Sequence, residues 1–487
     1  MQRLSGLDSA FLSLETRNTP MNLVGTILLD PSTAEDGFSR GQVLRLLAAR
    51  LHRLPPLRRR LAEVPFGLGH PVWIEDSEFT LEDHVSRVVA PAPGSERILA
   101  EIVGRFAARP LDRSRPLWEM QVVENLCEGR VALLVKMHHA VADGTASAQM
   151  IVQLLDTEPD PAPAEPPPEW QPEGTPSSVG LLGRALFGLA TQPARMLPIL
   201  KDTAKTAAEM AGRALAPPGA GPPAALPFTA PRTRFNGSVS SGRVVAYARV
   251  GFRELHFVKS VFRASINDVI LAACTSSLRS YLEAHDDPPR EPLVATIPVC
   301  VRRGKEWGQQ GNRISALFVH LPVHLEDPLD QLLAIRASVQ SAKRFHDALG
   351  PNKLRDWAQW TTPAVLSNAV RLYSRLELAK RHRPIHNLVI SNVPGPTSPL
   401  YAAGARVVAL HPHGPIFEGA GVNITVMSYV DSMDFGILAC EKSVPDVDSI
   451  AHGFGAGVGN LVKLALLEAP QTSSRTRPRS ATGHHVP

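Results

Sequence analysis

The junction between Val131-Ala-Leu-Leu-Val-Lys-Met137 and His138-His-Ala-Val-Ala-Asp-Gly144 constrains this chain more than any other feature. The first run is apolar and rich in β-branched residues, which predicts a buried strand. After the histidines, Thr145 can cap a helix that carries Met150, Ile151, Leu154 and Leu155 on one face. A histidine held at a rigid strand end is well placed to act as a general base near neutral pH. No serine or cysteine stands in a Gly-x-Ser-x-Gly context. A base here would act directly on a substrate hydroxyl or amine, without a covalent enzyme intermediate.

At 487 residues the chain exceeds one simple core, so two domains are expected. The net charge is +5, and residues 470–487 add Arg475, Arg477 and Arg479 with no acid. The body is therefore close to neutral and carries no basic footprint for nucleic acid. The four cysteines are dispersed; Cys274, Cys300 and Cys440 lie in apolar runs, which predicts buried reduced thiols rather than disulfides or zinc ligands. There is no charged leader followed by an apolar stretch, and no uninterrupted apolar window of about 18 residues. A cytoplasmic protein follows as the expectation.

Strand-like and helix-like patterns alternate through residues 1–155, the first lobe. Val24–Leu29, Trp118–Val123 and Val131–Met137 read as strands, Gln42–Leu54 and Ile98–Ala108 as helices. Residues 156–234 read as a crossover: Asp156–Pro176 is proline-rich and carries six acids with no base, and a helical pattern with Lys201, Lys205 and Arg213 follows. The second lobe spans 235–469. Its expected strands are Arg243–Val250, Leu293–Val299, Ala316–Leu321, Leu388–Ser391, Val422–Ser428 and Phe435–Ala439. Helices are expected at Ile266–Leu282 and Asp446–Leu467, and 470–487 read as a disordered tail.

The histidine motif does not stand alone. Leu4-Ser-Gly-Leu-Asp-Ser-Ala-Phe11, Pro116-Leu-Trp-Glu119, Asn267-Asp-Val-Ile-Leu-Ala272, Ser391-Asn-Val-Pro-Gly-Pro396 and Gly421-Val-Asn-Ile-Thr425 accompany it in order. With these segments, over roughly residues 1–465, the chain resembles the bacterial wax ester synthase/diacylglycerol acyltransferase family of the CoA-dependent acyltransferases. One departure is Ile270, where the family usually has a second valine.

The resemblance implies an α/β fold of two chloramphenicol-acetyltransferase-like lobes with an active-site tunnel between them. It implies acyl-CoA as co-substrate, with no further cofactor, and a lipid alcohol as acceptor. Diacylglycerol would give triacylglycerol, and a long-chain alcohol a wax ester. A different hydroxyl acceptor, such as a polyketide-derived diol, is the alternative within enzymes. A non-catalytic lipid-binding homologue is the alternative outside them. His139 would be the general base, with His138, Asp143 and Gly144 in support. Strand alternation sends His138 to the opposite face from His139. Asp143 would hold the loop through backbone N–H groups or an arginine, with Arg17, Arg302 and Arg313 as candidates. Adjacent histidines that diverge chelate one ion poorly, so no metal is expected.

Two readings compete for several companions. Asp268 suits a helix cap, while Asn267 either caps or lends an N–H to an oxyanion. Pro116, Leu117 and Trp118 either line the acceptor side or start a strand with a core tryptophan. Ser391 and Asn392 face a substrate channel or simply precede a rigid turn. The 179–215 pattern suits either an interfacial helix on a membrane or lipid-droplet surface or a plain amphipathic helix.

Overall fold

The computed structural model describes residues 2–35, 37–161, 176–188, 224–288, 290–301, 314–349 and 361–468, with isolated residues between, among them Asn312, Ala358 and Gln359. Two six-stranded sheets form the framework. The first contains β2 (Asn22–Asp30), β5 (Val85–Val89), β6 (Trp118–Glu124), β7 (Val131–His138), β12 (Tyr401–Ala402) and β13 (Ala405–His413). Their order is β12-β13-β2-β7-β6-β5, antiparallel except for the β5–β6 pair.

The second sheet contains β8 (Arg243–Gly251), β9 (Leu293–Cys300), β10 (Ile314–Leu321), β11 (Leu388–Val393), β14 (Val422–Tyr429) and β15 (Ser432–Cys440). Its order is β10-β9-β11-β14-β15-β8, with β11 parallel to both neighbours. A small sheet of β1 (Gln2–Arg3), β4 (Val72–Glu75) and β3 (Arg59–Ala62) stands apart.

The division at residue 235 needs one correction. β13 comes from the second half of the chain yet pairs along β2 in the first sheet, from Arg406 opposite Asp30 to His413 opposite Val24. The crossing is pinned by Asp434, whose buried carboxylate accepts from Arg249 Nε at 2.6 Å and from Leu410 N–H at 2.8 Å. Gly436 permits the close approach, since a Cβ there would lie 2.1 Å from the Pro412 carbonyl oxygen.

Alternation along β7 separates two packing layers. Leu133, Val135 and Met137 join a cluster with Val43, Leu47 and Ala148, whereas Ala132 and Leu134 join Leu99, Val103 and Phe106 of the helix Glu96–Ala108. All eight residues of the strand are buried, including Lys136, whose Nζ lies 3.0 Å from Glu119 Oε2. In the second sheet Leu388, Ile390, Val422, Ile424 and Val426 face a helical layer that includes Ile266–Glu283. Their alternate neighbours Val389, Ser391, Val393, Asn423, Thr425 and Met427 face the space between the sheets.

Asp448–Glu468 is long and apolar enough, by length and composition, to cross a membrane, although His452, Asn460 and Lys463 interrupt its apolar run. It packs along Ile266–Glu283, burying Phe454, Val458 and Leu461, and Ser277 Oγ donates to the Ile450 carbonyl at 2.6 Å. Of the crossover, the helix Ser178–Gly188 seats Leu181 and Ala185 on Val64, Val72 and Ile74. Most of Asp156–Pro176, residues 202–223 with Lys205 and Arg213, and the 470–487 tail lie outside the described residues. The cysteines are unpaired, and Cys300 at a strand end is exposed rather than buried.

Candidate active site

His139 follows the last residue of β7, and its backbone N–H donates to the Met21 carbonyl at 2.8 Å. Its ring stacks on Phe11 with centroids 3.9 Å apart and planes 16° from parallel. Phe11 is placed by the helix Gly6–Leu14, which opens with a capping box between Ser5 and Asp8.

Asn312 fixes the protonation pattern of the ring. Its Nδ2 donates to Asp8 Oδ1 and to the His139 carbonyl, each at 2.7 Å. The carbonyl can only accept, so the amide is oriented with Oδ1 toward His139 Nδ1, 3.1 Å away. Nδ1 therefore carries the proton and Nε2 keeps its lone pair. Burial holds the imidazole pKa down at about 4, which keeps the ring neutral at physiological pH. Burial also raises the Asp8 carboxyl, against hydrogen bonds from Ser5 and Asn312 that lower it.

His138 lies on the other side of the strand. Its Nδ1 accepts from Ala140 N–H at 2.9 Å, so Nε2 carries the proton and faces Glu15 Oε1 at 3.6 Å. Burial would raise Glu15, but His138 and the Arg113 guanidinium, 2.7 Å from Oε2, bring it down to about 2. Asp143 accepts from Ala146 N–H at 2.9 Å and caps the helix Gly144–Leu154. The cap expected at Thr145 is thus two residues earlier, because the tight turn after the histidines presents the aspartate to the helix end. Arg17 is exposed, and Arg302 and Arg313 lie outside the described residues.

His139 and Gly144 line a cavity of about 380 Å³ between the two sheets. Leu23, Val135 and Met137 form part of its first-lobe wall, and Val389, Ser391 and Met427 part of the second. The walls are predominantly apolar, so the site can receive a long hydrocarbon chain beside a buried neutral imidazole.

The companion motifs divide. Ser391 lines the cavity, but Asn392 is exposed because strand alternation turns it away. Pro116, Leu117 and Trp118 do not reach the cavity. Trp118 is core, its Nε1 donating to the Leu57 carbonyl at 2.7 Å and its ring stacked on His84. Asp268 closes a capping box with Ser265 at the start of Ile266–Glu283. Neither it nor Asn267 is among the residues that line the cavity. Sequence reasoning missed Asn312 and the role of Asp8. Asp8 sits inside a segment already singled out, whereas Asn312 has no signal beyond a Gly-Asn-Arg tripeptide.

Two paired-sheet lobes with a histidine at a strand end, lining a cavity between them, define a condensation-type architecture. The first condensation domain of the calcium-dependent antibiotic synthetase shares this fold, with a TM-score of 0.56 at 15% identity over 95% of this chain and 96% of that one. The wax ester synthase/diacylglycerol acyltransferase of Marinobacter aquaeolei VT8 is more similar, with a TM-score of 0.67 and 25% identity over 96% of this chain and 100% of that one.

The sequence places the chain more closely. Residues 4–270 match the wax ester synthase/diacylglycerol acyltransferase catalytic domain, and residues 310–461 match the C-terminal domain of the same family. A Mycobacterium tuberculosis H37Rv protein provisionally named a diacylglycerol O-acyltransferase is 38% identical over 95% of this chain and 90% of its own length. A second such protein from that strain is 33% identical over 96% and 98%. The chain belongs to the wax ester synthase/diacylglycerol acyltransferase family and is an acyltransferase.

Proposed function

We propose that the protein transfers a fatty acyl group from acyl-CoA to the free hydroxyl of diacylglycerol, giving triacylglycerol and CoA. The observation that carries this reading is the neutral, Asn312-oriented imidazole of His139 in an apolar cavity built from both lobes. Nε2 takes the hydroxyl proton as the oxygen attacks the thioester carbonyl. The tetrahedral intermediate collapses, the C–S bond breaks, and the imidazolium returns the proton to the CoA sulfur. A thiol has a pKa of about 8.5 and leaves readily, so activation of the far less acidic alcohol is the step that needs the base. Acyl-CoA is the co-substrate, and the scheme uses no cofactor or metal.

A long-chain alcohol fits the same apolar walls and would give a wax ester. Exposed Phe66, Phe187, Val365 and Leu372 support contact with a lipid surface, which we assign to the inner face of the plasma membrane or a storage droplet. The test is purified protein with oleoyl-CoA and a panel of acceptors, products identified by mass. Triacylglycerol with equimolar CoA supports the reading; CoA release only with non-lipid diols, or none at all, contradicts it.

A further inference from the structure

The cavity that holds His139 adjoins a second one of about 360 Å³, and Leu14, His386 and Phe417 line both. The second cavity lies under the helix Pro363–Arg375, with Met21, Val370, Ile385 and Ala420 among its walls. His386 precedes β11, held by Asn387, whose N–H donates to the Val294 carbonyl at 2.7 Å and whose Oδ1 accepts from Val294 N–H at 2.8 Å. The imidazole meets Phe417 edge to face, with centroids 6.3 Å apart and planes at 87°.

Both ring nitrogens of His386 are buried, and among the described residues neither has a hydrogen-bond partner. Burial lowers its pKa to about 4, so the ring is neutral and offers one N–H and one lone pair. Thr296 Oγ1, on the wall of the first cavity, is likewise buried without a partner among the described residues. Buried polar groups in folded proteins nearly always have partners, so unmet ones at a channel junction point to a ligand that supplies them.

We propose that His386 is a specificity-determining residue whose ring N–H donates to an ester carbonyl oxygen of a glyceride acceptor. The proposal rests on the acyl-transfer reading of the His139 cavity. The acceptor's reacting hydroxyl must sit at His139. Beyond that hydroxyl, diacylglycerol has polar atoms only in its two esters, and a simple long-chain alcohol has none. A pantetheine arm also carries carbonyls, but the mainly apolar second cavity suits an acyl chain better. His386 thus gives the chain a means of preferring glycerides over plain alcohols.

The test compares kcat/KM for 1,2-dioleoylglycerol and hexadecanol, with oleoyl-CoA as donor, in wild type, His386→Phe and His386→Gln. Phe keeps a ring without hydrogen bonding, while Gln restores a donor. His386→Phe should lose about tenfold with the glyceride, the size of one neutral hydrogen bond, and stay within about twofold with hexadecanol. His386→Gln should recover part of the loss. Without lipid, His386→Phe should melt no lower than wild type, because it keeps a ring against Phe417 and removes no hydrogen bond made among the described residues.

An unchanged ratio between the acceptors overturns the proposal. So does an equal loss on both through a raised KM for oleoyl-CoA, which would place pantetheine at His386. A lower melting temperature in His386→Phe overturns it in favour of a structural role. Wild type that makes no triacylglycerol defeats the acyl-transfer reading itself. Triacylglycerol formed at an unaltered acceptor ratio defeats only the role of His386.

Discussion

Asn312 Oδ1 lies 3.1 Å from His139 Nδ1, while the same amide's Nδ2 is committed to Asp8 and to the His139 carbonyl. A residue near the start of the chain and one from the second lobe thereby set the tautomer of a histidine in the first. The relay from Asp8 through Asn312 leaves Nε2 as the acceptor the reaction needs.

Removing the amide should release the ring to the wrong tautomer. Asn312→Ala is expected to lower kcat by about 10- to 100-fold with little change in KM, the range for loss of an orienting hydrogen-bond partner. Steady-state kinetics on folded protein checks this. A kcat within twofold of wild type would show that stacking on Phe11 alone orients the imidazole.

The buried histidines set the response to acid. His139 and His386 titrate at about 4 and His413 at about 3 in the folded state, against 6.5 for a free imidazole. Between pH 6.5 and 4 the unfolded chain binds more protons, so stability is greatest above 6.5 and falls as pH drops through that window. Glu15, held at about 2 against 4.5, adds a loss only below 4.5. The melting temperature should therefore fall from pH 7 to pH 5, while kcat/KM per folded molecule stays level because His139 remains neutral. An acid limb in kcat/KM near 6.5 would contradict the burial of the base.

Asp143 serves the architecture. Its side chain is buried and caps the helix Gly144–Leu154, so Asp143→Ala should lower thermal stability by at least the value of an N-cap, about 1 kcal/mol, and reduce activity with it. Calorimetry beside an activity assay checks this. A variant with the wild-type melting temperature and a large loss of kcat would give the carboxylate a direct part in proton transfer.

Strands and the position of His139 at a strand end were legible because their signals are local. The apolar run of β7 and its alternation suffice to bury the strand and to send His138 and His139 to opposite sides. β13 was illegible: Pro412 and the flanking histidines break its pattern, and its place depends on β2, nearly the whole chain away. Asn312 and His386 matter through what they face, which no spacing in the sequence encodes. Trp118 shows the converse, since its motif supports the resemblance while its side chain serves the core through Leu57. Asn267-Asp268 behaves similarly, its aspartate closing a capping box.

The central claim is that His139 is the base for acyl transfer from acyl-CoA to a lipid hydroxyl. The most direct measurement is CoA thiol release and triacylglycerol formation from oleoyl-CoA and 1,2-dioleoylglycerol, by wild type and His139→Ala, with folding verified by melting temperature. The account predicts a folded variant whose turnover falls by about 10²- to 10⁴-fold, the usual contribution of a general base. A folded His139→Ala protein that keeps more than about a tenth of wild-type turnover, well above that range, would contradict it.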